Sequence, residues 1–226
     1  MALPPMDSGY ATRLRHGYRI GRDTAVRRYS DLRATTWGRA IIDRAQVVFG
    51  LVGIMWVIEV IDTVVLGRSL NVIGIHPRDI GRVWQIPFAP FLHGDFGHLL
   101  SNTGPLLWLG AMVSVWGVAE FLLVVAGIAV FGGAGTWLIG RDGVHQGGSL
   151  LALGFFGYLI ARGVVERRVI AVVLAILTVY WYGYAAWGVL PGAPRISWES
   201  HLSGMLAGAL MGYWRARTMR RVVGLP

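Results

Sequence analysis

Apolar residues along this chain are gathered into long segments, and short polar or arginine-containing stretches separate them. A helix needs about 20 predominantly apolar residues to cross the hydrocarbon core of a membrane. Segments that approach or reach this length lie at residues 46–66, 98–116, 119–139, 149–161, 169–190 and 200–214. The pattern predicts an all-α membrane protein, a bundle of six transmembrane helices.

The charged residues indicate how this bundle is oriented. They make up 15% of the 226 residues and cluster at the termini and in a few loops, and all 21 basic residues are arginine. An even number of spans puts both termini on one side, and basic residues favour the cytoplasmic side. We expect an Arg-rich cytoplasmic extension at residues 1–45, a membrane domain at 46–215 and a cytoplasmic tail at 216–226. The protein would be a multi-pass protein of the cell membrane.

Charge and cysteine content narrow the expected partners and chemistry. A net charge of +9 is common in nucleic-acid-binding proteins, but here the arginines flank apolar segments, so we expect membrane lipids and no nucleic acid as partners. Cysteine is absent, which excludes a thiol nucleophile and cysteine-ligated zinc. Glu59 and Asp62 share one face of the first span. We expect them to face the bundle interior, paired with Arg or Trp N–H groups, although a proton relay or a metal site is an alternative.

Three polar residues begin alternate spans. His98 lies at the start of the second span, Ser149 at the start of the fourth and His201 at the start of the sixth. Alternate spans run in the same direction, so these side chains should lie at a similar depth near the outer face. A serine hydroxyl becomes a nucleophile when a neutral imidazole accepts its proton. The topology therefore predicts a Ser149–His201 pair.

Neighbouring residues complete a possible site. Gly204 and Gly208 lie on the same helical face as His201, and such small residues allow close helix contact in lipid. An oxyanion formed during attack on an amide needs hydrogen-bond donors already aimed at it. His98 and Asn102 are one helical turn apart and are suitable donors, and the backbone N–H of Ser149 could add a third.

These motifs resemble those of the rhomboid family of intramembrane serine proteases. The resemblance covers most of residues 84–214 and rests on His93-xxxx-His98-xxx-Asn102, Gly147-Gly148-Ser149 and His201-xx-Gly204-xxx-Gly208. It implies a rhomboid-like six-helix fold, Ser149 as nucleophile, His201 as base, and His98 with Asn102 at the oxyanion. It also implies transmembrane protein substrates, no metal or organic cofactor, and a first loop that lies in the outer leaflet.

Three positions depart from the family pattern. Leu150 follows the serine where the family commonly has glycine, and Leu153 stands where it commonly has an aromatic residue. Gln85 follows Trp84 where the family often has arginine. The first two departures touch the expected active centre. They keep open an alternative, a catalytically weak or inactive rhomboid-like protein that binds transmembrane clients.

A second alternative is a metal-dependent enzyme or transporter. Imidazole is a common metal ligand, and the candidates are His93, His98, His145 and His201. Their spacing argues against a helical zinc pair, because His93 and His98 are five residues apart instead of four. His93 and His145 each precede a functional helix, and we expect them to anchor it through hydrogen bonds.

Overall fold

The structure is a computed structural model that describes residues 8–192 and 196–223, with side chains described for 36–192 and 196–220. The chain divides into two compact units, residues 1–43 and 44–226. Among the described residues the first unit contains the beginning of helix α1 (Ser8–Val64), and the elements that follow α1 belong to the second unit.

Helices dominate the second unit. After α1 the chain forms α2 (Phe96–Ser114), α3 (Val118–Ile139), α4 (Ser149–Glu166), α5 (Val169–Tyr182) and α6 (Trp198–Val223). The middle of α3, Ile128–Gly132, is π-helical, and the 3₁₀ segment Gly183–Val189 continues α5. The connection between α1 and α2 contains three short 3₁₀ helices, Ser69–Val72, Ile80–Gln85 and Ala89–Phe91.

Four of the described helices are long and apolar enough to cross a membrane: Thr36–Val64, Val118–Ile139, Ser149–Glu166 and Val169–Val189. The protein is therefore a multi-pass membrane protein. Helices α2 and α6 have 19 and 26 residues, which is long enough to cross a membrane. Their polar residues, however, make them less apolar than these four helices. The six-span count stays a prediction.

Helix α4 lies at the centre of the second unit. Of its residues 72% are buried, against 17% in the most apolar stretch of Val169–Val189. Its most extensive neighbour is α6. A Cβ atom added to Gly204 would overlap the carbonyl oxygen of Leu150, and one added to Gly208 would overlap that of Gly154. The two helix backbones thus touch where α6 presents glycine.

The fourth helix is longer than the sequence pattern predicts. The predicted span 149–161 ends before Arg162, but α4 continues to Glu166 and Arg162 is only 1% exposed. Its guanidinium donates to Glu120 Oε1 at 2.7 Å and to Glu166 Oε2 at 2.6 Å. Glu120 also accepts from Arg215 Nε at 2.8 Å. The helix continues because these carboxylates neutralise an arginine that, on its own, would mark a helix end.

Helical structure also extends beyond the predicted first and last membrane spans. Helix α1 already begins at Ser8, within the predicted extension, and α6 runs to Val223, past the predicted end at residue 214. Arginine has a high helix propensity, so a helix continues readily beyond the apolar segment. The rest of the two predicted cytoplasmic segments, residues 1–7 and 224–226, lies outside the described residues.

The two acidic residues of the first span are buried, as expected of an interior face, but their partners differ. Glu59 accepts a hydrogen bond from the Thr63 hydroxyl at 3.3 Å. Asp62 accepts one from the backbone N–H of Leu70 at 2.9 Å. Neither makes the predicted bond to an Arg or Trp side chain among the described residues. Asp62 instead ties the end of α1 to the loop that follows.

Candidate active site

Ser149 is the first residue of α4, and a glycine-rich turn leads into it. Gly147 has φ +126°, in the region that side chains rarely occupy. The His98 ring lies directly against it, since a Cβ added at Gly147 would be 2.6 Å from His98 Cε1. Glycine therefore suits this position for two reasons. It adopts the backbone conformation without strain, and it leaves the space that the His98 ring fills.

His93 anchors the same turn. Its Nε2 atom accepts a hydrogen bond from the Gly148 N–H at 3.0 Å, and its side chain is buried. Burial, together with the neighbouring His98, lowers the pKa of His93 from 6.5 to about 4. The ring is thus neutral at physiological pH, which leaves the Nε2 lone pair available for the Gly148 N–H.

His98 is held at the beginning of α2. The Asp95 carboxylate caps the helix by accepting a hydrogen bond from the His98 N–H at 2.8 Å, and this bond lowers the pKa of Asp95. The rings of His93 and His98 meet edge to face with centroids 5.2 Å apart. These contacts fix the His98 ring between the α2 N-terminus and the turn before Ser149.

Three hydrogen-bond donors near Ser149 have no acceptor in the described part of the chain. One is the side-chain amide nitrogen of Asn102, on a residue that is 6% exposed, and another is Nδ1 of the buried His93, which carries the ring proton because Nε2 accepts from Gly148. The third is the backbone N–H of Ser149, at the start of α4. A buried donor without a partner costs about 1–3 kcal/mol. A protein tolerates this cost at a binding site, because a bound ligand atom then supplies the missing acceptor.

His201 lies in the first turn of α6, and its orientation is set by a carbonyl group. Its Nδ1 atom is 3.0 Å from the carbonyl oxygen of Gly188. A carbonyl oxygen only accepts, so Nδ1 carries the proton and Nε2 of the neutral ring is an acceptor. No hydrogen bond joins Ser149 to His201 in the described residues.

Ser149 and His201 nevertheless share the walls of two adjoining cavities. The more polar cavity, of about 500 Å³, also includes His98 and Asn102, together with Ser101, Asp95, His145, Gln146 and Ser197. The more apolar one, of about 290 Å³, lies among Asn102, Pro105, Leu109, Leu153, Phe156, Tyr182 and Gly188. Ser149, His201, Asn102 and Ser101 line both. The structure thus brings together the four residues predicted for the catalytic and oxyanion roles.

The two leucines that depart from the family pattern are placed differently. Leu150 lines neither of these cavities; its buried side chain borders a small gap with Ile75, Ala89 and Pro90 of the first loop. Leu153 is 6% exposed and forms part of the wall of the apolar cavity. The added bulk at Leu150 therefore borders the first loop and not the two cavities next to Ser149.

Several residues of this region were not predicted. Gly188 contributes a backbone carbonyl, and the identity of a residue gives no sign of that role. Ser101 and Ser197 line the polar cavity and carry no distinctive motif. Asp95 could have been found, because Asp three residues before His98 is the arrangement of a helix cap.

The candidate ligands of a metal site do not assemble in the same way. In the described part of the chain, no three His, Asp or Glu side chains lie close enough together to hold a metal ion. His145 hydrogen-bonds through Nδ1 to Ser197 Oγ at 2.5 Å and through Nε2 to the carbonyl oxygen of Arg141 at 2.8 Å.

Comparison with known proteins places this site in a family. Residues 80–218 match the Rhomboid domain model. An uncharacterized protein of Mycobacterium tuberculosis (strain H37Rv) is 34% identical over 183 residues, which are 77% of this chain and 76% of that protein. An uncharacterized protein of Mycobacterium leprae is 33% identical over 181 residues, 76% of this chain and 71% of the relative.

A more distant relative carries an activity in its name. The Bacillus subtilis protein "Putative rhomboid protease YdcA" is 28% identical over 135 residues, which are 59% of this chain and 67% of the relative. The Rhomboid match covers more than half of the chain and contains the whole segment from His93 to His201. This chain belongs to the rhomboid family, a family of intramembrane proteases.

Proposed function

We propose that this protein is an intramembrane serine endopeptidase that cleaves transmembrane protein substrates. Ser149 is the nucleophile and His201 the general base. His98, Asn102 and the backbone N–H of Ser149 stabilise the oxyanion. The observation that carries this assignment is the buried amide of Asn102, which has no partner among the described residues and lines the same cavity walls as Ser149 and His201.

The first half of the reaction acylates the serine. His201 Nε2 accepts the Ser149 Oγ proton while Oγ attacks the carbonyl carbon of the scissile bond. The carbonyl oxygen becomes an oxyanion that accepts hydrogen bonds from His98, Asn102 and the Ser149 N–H. As the C–N bond breaks, protonated His201 donates its proton to the leaving amine.

The second half releases the acyl group. A water molecule attacks the ester carbon, His201 accepts its proton, and the Ser149 oxygen leaves and is reprotonated by His201. The polar cavity beside His98 and Asp95 is the route by which water reaches the ester. The Gly188 carbonyl keeps the imidazole in one tautomer throughout, the orienting role that a third residue has in a triad.

The substrate class follows from the setting of the site. In an intact helix each carbonyl oxygen is hydrogen-bonded within the helix, so attack requires a substrate segment that leaves the helical form. We propose six spans with both termini cytoplasmic, and substrates whose transmembrane helices contain helix-destabilising residues. The apolar cavity lined by Leu153 and Phe156 would receive a substrate side chain next to the scissile bond.

The decisive experiment measures cleavage by the purified protein reconstituted in liposomes. The substrate is a single-span protein with a helix-breaking residue in its span, and the comparison is with Ser149→Ala and His201→Ala. We expect cleavage by the parent alone, and covalent labelling of Ser149 by a fluorophosphonate. If the parent binds the substrate but cleaves it no faster than Ser149→Ala, the protein is a rhomboid-like binder and the protease assignment is wrong.

A further inference from the structure

A second serine–histidine contact lies beside the proposed catalytic pair. His145 Nδ1 and Ser197 Oγ are 2.5 Å apart, and both residues line the polar cavity. His145 precedes Ser149 by four residues, and Ser197 precedes His201 by four residues. The contact thus joins the segment that leads into α4 to the segment that leads into α6.

The direction of this hydrogen bond follows from its neighbours. His145 Nε2 faces the carbonyl oxygen of Arg141 at 2.8 Å and therefore carries the ring proton, which makes Nδ1 the acceptor. Ser197 Oγ donates its one hydrogen to this atom, so in the 2.9 Å contact between the Ser197 and Ser200 hydroxyls Ser200 is the donor. The Ser197 oxygen also accepts from the Ser200 N–H at 3.3 Å, so Ser197 caps α6 while it bonds to His145.

Both ends of the contact are fastened to other parts of the protein. His145 exchanges two backbone hydrogen bonds with Ile75 of the first loop, at 2.8 and 3.0 Å. Close by, Glu199 of α6 accepts from the Arg141 N–H at 3.3 Å and pairs with its guanidinium. Glu199 is 1% exposed. The loop before α4 and the first turn of α6 are therefore linked at two points.

The glycine contacts between the helices explain why such a link is needed. At Gly204 and Gly208 of α6, backbone lies against backbone of α4 with no side chain between them. Such a surface permits close approach, but it lacks the interlocking side chains that resist sliding of one helix along the other. The Ser149–His201 geometry would be sensitive to sliding, since a shift of about 1 Å can cost about 100-fold in rate.

We propose that His145 and Ser197 are positioning residues, which fix the register of α4 against α6 so that His201 Nε2 faces Ser149 Oγ. This role rests on the proposed protease function. Neither side chain exchanges protons with the substrate. Their hydrogen bond supplies the restraint along the helix axes that the glycine surface lacks.

The test is a double-mutant cycle in the full-length protein. His145→Phe removes the acceptor and keeps a ring, Ser197→Ala removes the donor, and the double variant combines them. We expect each single variant to lower kcat by about 10- to 100-fold with KM within about twofold, and the double variant to lose little more than either. Fluorophosphonate labelling of Ser149 should slow in parallel.

Conservative variants separate positioning from loss of the fold. His145→Asn places an amide oxygen close to the position of Nδ1, and Ser197→Thr keeps the hydroxyl, so both should retain most of the parent kcat. His76→Phe is the matched control, because His76 is a half-buried loop histidine outside both cavities. It should leave kcat unchanged.

The outcomes distinguish this proposal from the function on which it rests. If the parent protein does not cleave the substrate and is not labelled at Ser149 by the fluorophosphonate, the protease function and the positioning role are both refuted. A parent that does both, with His145→Phe and Ser197→Ala as fast as the parent, refutes the positioning role alone. The positioning role is equally refuted if kcat falls only in proportion to the fraction of protein unfolded in a thermal melt.

Discussion

The Nδ1 atom of His201 lies 3.0 Å from the carbonyl oxygen of Gly188, and a Cβ atom added to Gly188 would lie 2.9 Å from the same nitrogen. The carbonyl both selects the Nδ1–H tautomer and fixes the plane of the ring. Among the described residues no carboxylate hydrogen-bonds to the ring, so this orientation needs no desolvated anion bonded to the imidazole. The 3₁₀ segment after α5 is thereby part of the machinery around His201.

Gly188→Ala should lower activity through the position of His201. The new methyl group would push the ring from the carbonyl, and we expect kcat to fall by about 10-fold or more with little change in KM. Gly183→Ala, in the same 3₁₀ segment, is the control, because its nearest contact would be an ordinary 3.6 Å. Equal kcat values for the two variants in the liposome assay would contradict this role.

Asn102→Ala should remove one oxyanion donor. Loss of such a donor costs about 100- to 1,000-fold in kcat, whereas KM should change little because the hydrogen bond forms mainly in the transition state. Ser114→Ala, a buried polar substitution on the same helix, removes only a hydroxyl bonded to Ala111 O and should keep the parent rate. A kcat for Asn102→Ala within threefold of the parent would exclude Asn102 from the oxyanion site.

Gly147→Ala should lower kcat by more than the strain in its backbone conformation explains. Gly147 and Gly143 both have positive φ, +126° and +140°, so alanine is strained at either position. Only at Gly147 would the methyl group meet the His98 ring, while nothing lies within 4 Å of a Cβ at Gly143. We expect similar losses of thermal stability but a drop in kcat, about 10-fold or larger, for Gly147→Ala alone. Matching kcat values would contradict the contact.

The sequence patterns indicated which residues would lie in this region, but they did not indicate the contacts that hold those residues in place. Ser149, His201 and Asn102 each begin, or lie one turn into, an alternate apolar segment, so the predicted topology would bring them to one depth, and the structure places all three on the walls of both cavities. Gly188 could not be found, since any residue has a carbonyl group. The contact of His145 with Ser197 depends on how two loops fold together, and no periodicity encodes that.

The differences between the predicted spans and the helices have a similar cause, since they depend on contacts between distant residues. A single arginine in an apolar segment predicts a helix end, but that inference holds only while the charge is unpaired. Arg162 is paired with Glu120, which lies 42 residues earlier in the chain. The sequence leaves open whether Leu150 disturbs the active centre. In the structure Leu150 borders a gap beside the first loop and lines neither cavity next to Ser149.

The buried charge cluster around Arg162 should matter for stability and little for catalysis. Arg162→Met would leave the buried Glu166 with the exposed Arg168, 3.4 Å away, as its one remaining ion-pair partner among the described side chains. Removing one member of a buried pair costs about 3–5 kcal/mol. We expect a clear fall in the thermal unfolding midpoint, against little change for Arg82→Met, whose ion pair with Asp79 is exposed. Equal midpoints would show that the cluster adds no stability.

His93 should make stability fall in acid over a defined pH range. Its folded-state pKa is about 4 and its ordinary value is 6.5, so between these values the unfolded chain binds a proton that the folded protein does not. The free energy of unfolding should therefore decrease from pH 6.5 to 4, by at most about 3.5 kcal/mol at about 1.4 kcal/mol per pKa unit. Outside this pH range His93 does not change how the free energy of unfolding depends on pH.

The measurement is the thermal unfolding midpoint of the purified protein at pH 7 and pH 4.5. His93→Gln keeps an acceptor for the Gly148 N–H without a group that titrates in this range. The decrease in the unfolding midpoint from pH 7 to pH 4.5 should therefore be smaller in this variant than in the parent. His76→Gln, in the first loop, should retain the full loss. If His93→Gln retains it as well, the acid sensitivity comes from other groups, and the buried neutral state of His93 is not what holds the turn before Ser149.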